Sequence, residues 1–341
     1  MHHWLRLLAY YIVHSMRCLG HVPLLLVALW FQPRRVIALV TLYYLLRRTD
    51  AWNTTIHRLV RFGSSNRPRF LRAQRTPYDT QKSYLLSVHP HGILLCPLFS
   101  WVGREETPSE SDPEDKGFAT SFKALDGLTL TVCTAPAVPF YQLHGEMYRD
   151  KCADAKASTI RNIWRRSKDK PIKESVVLCP GGFSEAVYTG YSDKYEVAYL
   201  KERLGFMKLA IESGVDIIPM YCFGAADMYS SCSWKRHERA TLSQRWGLPM
   251  VVWFGLFGTN IPLFEDTVIA SFDPFPASSY SLDELEQAHS DYCAYLKTCF
   301  DTHKGCCEAT AHKDLVFVGK NNPPPPSPPK RTLRSVRTRS A

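Results

Sequence analysis

The pattern of apolar and polar positions changes character near Tyr84. Before that point apolar residues run in blocks: Cys18–Pro33 is 16 residues without a charge, and Val36–Leu46 adds 11 more after Arg34-Arg35. After it, short apolar runs alternate with amphipathic stretches. Tyr84–Val88, Leu128–Cys133, Ser175–Cys179 and Val215–Phe223 read as buried strands, with Met250–Gly255 and Thr267–Phe272 as further strands. Ile93–Val102, Ala155–Ser167, Leu200–Ser213 and Leu282–His303 have helical spacing. In the last of these, Leu285, Ala288, Tyr292, Tyr295 and Leu296 share one side. Strands separated by helices predict an α/β fold with a mostly parallel sheet flanked by helices. Pro219, inside a strand pattern, predicts a bulge or an edge.

A helix needs about 20 apolar residues to cross the hydrocarbon core. Val36–Leu46 alone is too short for that. Residues 1–48 therefore read as an N-terminal hydrophobic membrane anchor, either a hairpin turning near Gln32-Pro33 or a single span followed by an interfacial helix. The competing readings are a buried helix pair and a cleaved signal peptide. Against the latter stand the length of the apolar stretch and the lack of a small-residue cleavage site. Residues 49–78 form a basic juxtamembrane segment and residues 79–319 the folded domain. Within the latter, 105–116 is an acidic Pro/Ser loop. Residues 320–341, with PPPPSPP and scattered arginines, read as a disordered or polyproline tail.

Charge refines this division. The whole chain of 341 residues carries +10. Residues 1–78 hold twelve arginines against one acid, a net of +11, and residues 320–341 hold six bases and no acid. The middle, 79–319, is −7. A nucleic-acid binder would carry its basic face on the folded domain, so no nucleic-acid partner is expected. Bases beside an apolar anchor instead favour the cytosolic side and anionic headgroups. The 11 cysteines show no CxxC pair and no Cys/His ligand spacing, so they read as mostly reduced thiols and no metal site is expected. Cys306-Cys307 is a vicinal pair without an evident role.

Two loops carry candidate chemistry. His89-Pro90-His91-Gly92 follows the strand 84–88 directly. In parallel sheets ligands bind beyond the C-terminal strand ends, and an imidazole there can take a hydroxyl proton near neutral pH. Gly92 permits close backbone approach, and N–H groups opening the next helix can face an oxyanion. A bland structural loop and a metal pair are the rival readings. The second loop, Pro180-Gly181-Gly182-Phe183-Ser184-Glu185-Ala186, follows the strand 175–179. If both strands share one parallel sheet, the two loops open on the same edge. Gly181 and Gly182 suit a tight turn with exposed N–H groups, and Glu185 can orient a histidine or an acceptor hydroxyl. Glu185 is equally readable as a first-turn carboxylate on a helix dipole. Gly182–Ala186 also approaches the GxSxG elbow, which offers Ser184 as the nucleophile of a serine lipase or esterase. Its distance past Cys179 and the final Ala speak against that. Arg203 and Lys208 read either as phosphate-binding cations or as solvated bases on a helix face.

Taken in order, these residues resemble the type 2 diacylglycerol acyltransferase family, which includes monoacylglycerol and wax-alcohol acyltransferases. HPHG (His89–Gly92) matches its signature, GGFSEA (Gly181–Ala186) is similar to its Gly-Gly-x-x-Glu block, and RLGFMKLAIESGVDIIPMYCFGAADMY (Arg203–Tyr229) resembles its most characteristic block. Weaker likeness runs on through LKTCFDTHK (Leu296–Lys304) to Val318, and the apolar N-terminus is similar to the family's membrane hairpin. The resemblance implies a glycerolipid-acyltransferase-like fold over 79–319. It also implies transfer of a fatty acyl group from acyl-CoA, a co-substrate and not a bound cofactor, to diacylglycerol or a related lipid alcohol. The setting implied is the cytosolic face of the endoplasmic reticulum membrane or a lipid droplet, among membrane lipids, and a homo-oligomer is compatible with it. Carried over residue by residue, His91 becomes the base, His89 a helper, and Glu185 the family's Glu after the two glycines. The reading of the residues themselves adds Gly92, Gly181 and Gly182 as candidates for lining the substrate, with Arg203 and Lys208 as candidate cations for the CoA phosphates. Phe183 and Ser184 stand where the family has small residues, and the acidic loop and the tail look like additions.

Overall fold

The computed structural model describes residues 68–93, 127–135, 152–255 and 266–326, together with 34–35, 37–38, 41–42, 122–124 and residue 263. The expected anchor, the helix from Ile93, and the acidic loop lie almost wholly outside these residues. Among the described residues, no helix is long and apolar enough to cross a membrane.

In chain order the elements are β1 (Arg69–Arg72), β2 (Tyr84–His89), β3 (Phe122–Ala124), β4 (Leu128–Thr134), β5 (Cys152–Asp154), α1 (Ala157–Ser167), β6 (Glu174–Leu178), α2 (Gly182–Ala186), β7 (Tyr195–Tyr199), α3 (Gly205–Ser213), β8 (Asp216–Phe223), β9 (Ser230–Ser231), α4 (Arg236–Trp246), β10 (Trp253–Phe254), β11 (Val268–Ser271), α5 (Leu285–His303) and β12 (Asp314–Val318). Eight strands form one sheet in the order β1-β11-β8-β2-β6-β4-β3, with β5 also on β4. Pairings of β2 with β6 and β8, of β4 with β5 and β6, and of β1 with β11 are parallel; β8–β11 and β3–β4 are antiparallel. The sheet is thus mixed and mostly parallel, as the alternation of strands and helices predicts.

Every residue of β2 is buried, as a central strand covered on both faces requires. The helix α5 starts behind a capping box, with Ser281 and Glu284 bonded reciprocally. It then buries Ala288, Tyr292, Leu296 and Phe300 against Tyr221, Phe223 and Phe275 of the sheet side. Burying side chains of this size contributes roughly 1.5–3 kcal/mol each.

Two expectations need correction, one is narrowed, and three elements come in addition. Arg69–Arg72, expected within the basic juxtamembrane segment, forms a strand at the sheet edge, parallel to β11, so the sheet begins before residue 79. Pro219 lies in an interior strand and not at an edge. The bulge alternative holds: Met220 pairs with Ser271 and Ile217 with Phe275, which leaves one extra residue opposite Pro219. Phe272 N–H still donates to the Pro219 carbonyl, and Tyr78 Oη supplies the Phe272 carbonyl with the hydrogen bond that proline cannot. The C-terminal segment is placed as far as residue 326. Glu202 accepts hydrogen bonds from the N–H groups of Lys320 and Asn321, and Tyr191 Oη donates to the Pro325 carbonyl at 2.5 Å. Finally, the chain forms β7, β12 and α4, which periodicity does not announce. The first two pair in parallel as a separate ribbon.

Candidate active site

Because β2 and β6 are parallel neighbours, their following loops open on one edge. The C-terminal end of β8 arrives there too, since His89 stands in register with Tyr221. Gly92 adopts φ +57° with its Cα against the Ala225 carbonyl; a Cβ there would sit 3.3 Å from that oxygen. Only glycine meets both demands without strain.

Glu185 is the hub. Its carboxylate is buried, with 2% of the residue exposed. Oε2 accepts the His91 N–H at 2.6 Å, Oε1 accepts the Tyr199 N–H at 3.0 Å, and Oε1 lies 3.8 Å from His89 Nδ1. It thus ties the end of β2 to the end of β7. Gly181 makes the room: a Cβ on it would lie 2.5 Å from Glu185 Oε2. Gly181→Ala is therefore expected to displace the carboxylate, costing about 1–3 kcal/mol in stability and most of the activity. Denaturation and an acyl-transfer assay on the same preparation check this.

The two histidines have different surroundings. His89 has no exposed surface. Its Nε2 is 2.7 Å from Ser87 Oγ and 3.2 Å from Tyr292 Oη. His91 is half-buried, with its ring edge-on to Phe183. Its Nδ1 is 2.9 Å from the Gly92 carbonyl oxygen. A carbonyl can only accept, so Nδ1 carries the hydrogen and Nε2 keeps the lone pair. Burial holds the His91 imidazole below its ordinary pKa of 6.5, against the opposing pull of the Gly92 carbonyl and Glu185. It is therefore neutral at pH 7, which is the form a general base needs.

The remaining expected residues divide. His89, expected as a helper, and Glu185, expected to orient a histidine or an acceptor hydroxyl, are both buried. The Gly182 N–H, expected to stand exposed in a tight turn, donates instead to the Cys179 carbonyl at 3.1 Å. Ser184 has no exposed surface; its Oγ donates to the Ala240 carbonyl at 2.9 Å and accepts from Arg203 Nη2 at 3.1 Å. A nucleophile needs a free lone pair within reach of substrate, so the hydrolase reading falls. Arg203 braces this loop, reaching the Gly181 carbonyl at 3.4 Å with its guanidinium 5.5 Å from the Tyr199 ring centre. Lys208 is exposed on α3 and pairs with Glu212 at 3.8 Å. Cys306 and Cys307 remain separate thiols. Sequence reasoning missed Ser87 and Tyr292, the partners of His89. For Tyr292 the signal was present: it lies on the apolar side of α5, and a buried tyrosine hydroxyl seeks a polar partner. No group of three metal-ligating side chains occurs among the described residues.

A histidine stands at this strand end with its backbone tied to a buried carboxylate, and the family that the chain matches makes the protein an acyltransferase. A family model described as diacylglycerol acyltransferase matches residues 47–318, and the chain belongs to that family. Relatives include diacylglycerol O-acyltransferase 2B of Umbelopsis ramanniana, 25% identical over 259 residues, covering 70% of this chain and 69% of the relative. Human 2-acylglycerol O-acyltransferase 3 is 25% identical over 70% of this chain and 69% of its own. Mouse acyl-CoA wax alcohol acyltransferase 2 is 24% identical over 70% of each. No solved structure matches. The relatives' names agree in acyl transfer and differ in the acceptor.

Proposed function

We propose that this enzyme transfers a fatty acyl group from acyl-CoA to diacylglycerol, forming triacylglycerol at the cytosolic face of the endoplasmic reticulum membrane or a lipid droplet, with His91 as general base. His91 carries this reading: of the two histidines it is the one with exposed surface, it is neutral, and its Nε2 lone pair is unblocked by the Gly92 contact. Nε2 takes the acceptor hydroxyl proton. The oxygen attacks the thioester carbonyl, and the backbone N–H of Gly92 holds the oxyanion. The C–S bond breaks, and the CoA thiolate leaves with the proton that His91 returns. Glu185 keeps the His91 backbone in place throughout. Lys208, whose ammonium is exposed, serves the CoA phosphates, while Arg203 braces the loop.

The product profile of the chain expressed in cells lacking neutral-lipid synthesis tests the acceptor. Labelled triacylglycerol is expected; diacylglycerol or wax ester as the main product would reassign it. The pH dependence tests the base. Because burial lowers the His91 pKa, kcat/KM is expected to fall on the acid side with its midpoint below 6.5. A midpoint at or above pH 7 would remove His91 from the role.

A further inference from the structure

Apart from the site, the most unusual surface lies around α4. Trp234 is 67% exposed, Trp246 53%, Leu248 49%, Val252 51% and Phe254 46%. These residues are neighbours for structural reasons. Trp234 precedes α4 and Trp246 ends it, and the 11-residue helix between them is about 16 Å long at 1.5 Å per residue. Gly247, in the left-handed region at φ +65°, reverses the chain, and Met250 N–H then binds Ser243 Oγ at 3.0 Å. The returning strand runs back along the helix until Cys232 N–H meets the Val252 carbonyl at 2.8 Å. The buried guanidinium of Arg239 ties both ends together, donating from Nε to the Trp234 carbonyl at 2.9 Å and from Nη1 to the Met250 carbonyl at 3.0 Å. Leu248 and Val252 thus bridge the two tryptophans in one apolar stripe, and Phe254 extends it.

The charge is equally out of place. Residues 232–255 hold four bases and one acid, whereas 79–319 as a whole is −7. Lys235 and Arg245 stand exposed beside the two tryptophans. Terminal tryptophans, a central aliphatic stripe and flanking bases match an interface that is apolar within and anionic at its surface.

We propose that this stripe docks the folded domain on an anionic bilayer surface, separately from any contact made by residues 1–48. The site lies directly behind it: Ser184 of α2 binds the Ala240 carbonyl of α4, and Tyr199 Oη binds Gln244 Oε1 at 3.1 Å. Docking by α4 therefore brings the Glu185–His91 unit to the lipid layer that holds the acceptor. In that last step the inference rests on the proposed function.

The test is hydroxyl-radical footprinting of the full chain reconstituted in phosphatidylcholine vesicles with and without phosphatidylserine. Half-buried Trp253, packed on Tyr229, reports folding in every sample. Oxidation of Trp234 and Trp246 is expected to drop when phosphatidylserine is present. In Lys235→Ser/Arg245→Ser the docked-to-undocked ratio is expected to fall about thirtyfold, the equivalent of about 1 kcal/mol for each surface base removed. Equal oxidation in both vesicles would overturn the proposal. So would protection that follows protein density and not lipid charge, which would mean a second copy. The readout needs no turnover and persists in His91→Ala. Protection without acyl transfer would therefore sink the proposed function alone, and acyl transfer without protection this inference alone.

Discussion

His91→Ala is expected to lower acyl transfer by about 10²–10⁴-fold, the usual contribution of a positioned general base, with thermal stability essentially unchanged. The fold should survive because Glu185 holds the backbone N–H of residue 91 and not its ring. Membranes supplied with labelled acyl-CoA and diacylglycerol measure the rate, and near-wild-type triacylglycerol synthesis would refute the assignment. His89→Ala provides the contrast. It opens a cavity in the core and strands the hydroxyls of Ser87 and Tyr292, so stability and activity should fall together. The comparison separates a residue that acts on substrate from one that holds it in place.

Lys313→Met is expected to destabilise the protein by about 3–5 kcal/mol. Lys313, 3% exposed, places Nζ 2.6 and 2.7 Å from the carboxylate oxygens of Asp227 and 3.3 Å from Glu196 Oε2. Burial already pushes the Glu196 carboxyl upward, and Lys313 opposes it. Without the ammonium, the buried Glu196 carboxylate lacks its counter-charge and holds a proton more tightly when folded than when unfolded. A carboxyl raised in the folded state contributes stability that is lost as pH rises. The deficit of the variant should therefore grow from the ordinary carboxylate range upward. Denaturant titrations at several pH values measure this, and Lys313→Met/Glu196→Gln/Asp227→Asn should recover most of the loss. The same variant should weaken catalysis, because Glu196 lies on β7, whose Tyr199 N–H steadies Glu185. A variant as stable as the parent would show that the triad is not needed.

This triad marks where sequence reading stops. The main sheet was legible because β2, β6 and β8 are apolar runs that end at turn signals, and burial on both faces leaves that imprint. The ribbon of β7 and β12 was not. Tyr195–Tyr199 carries a glutamate at a buried position, which reads as surface until a lysine from far along the chain is found beside it. The strand Arg69–Arg72 was hidden by its arginines. Arg69 lies at an edge and pairs with Asp266 at 3.2 Å, so its charge is solvated and its strand character comes only from β11.

The sequence by itself determined the α/β class, the two loops proposed to carry the chemistry, and the family to which HPHG and the following blocks belong. These are local properties: each rests on residues adjacent in the chain. The tertiary structure alone decided what each residue touches. It buried His89 and left His91 with exposed surface. It turned Glu185 inward as a clamp, closed Ser184 onto a carbonyl, and brought Tyr292 within 3.2 Å of a histidine some two hundred residues earlier. The physical reason is that a side chain's role depends on its exposure and partners, and both come from contacts between segments whose proximity no local pattern encodes.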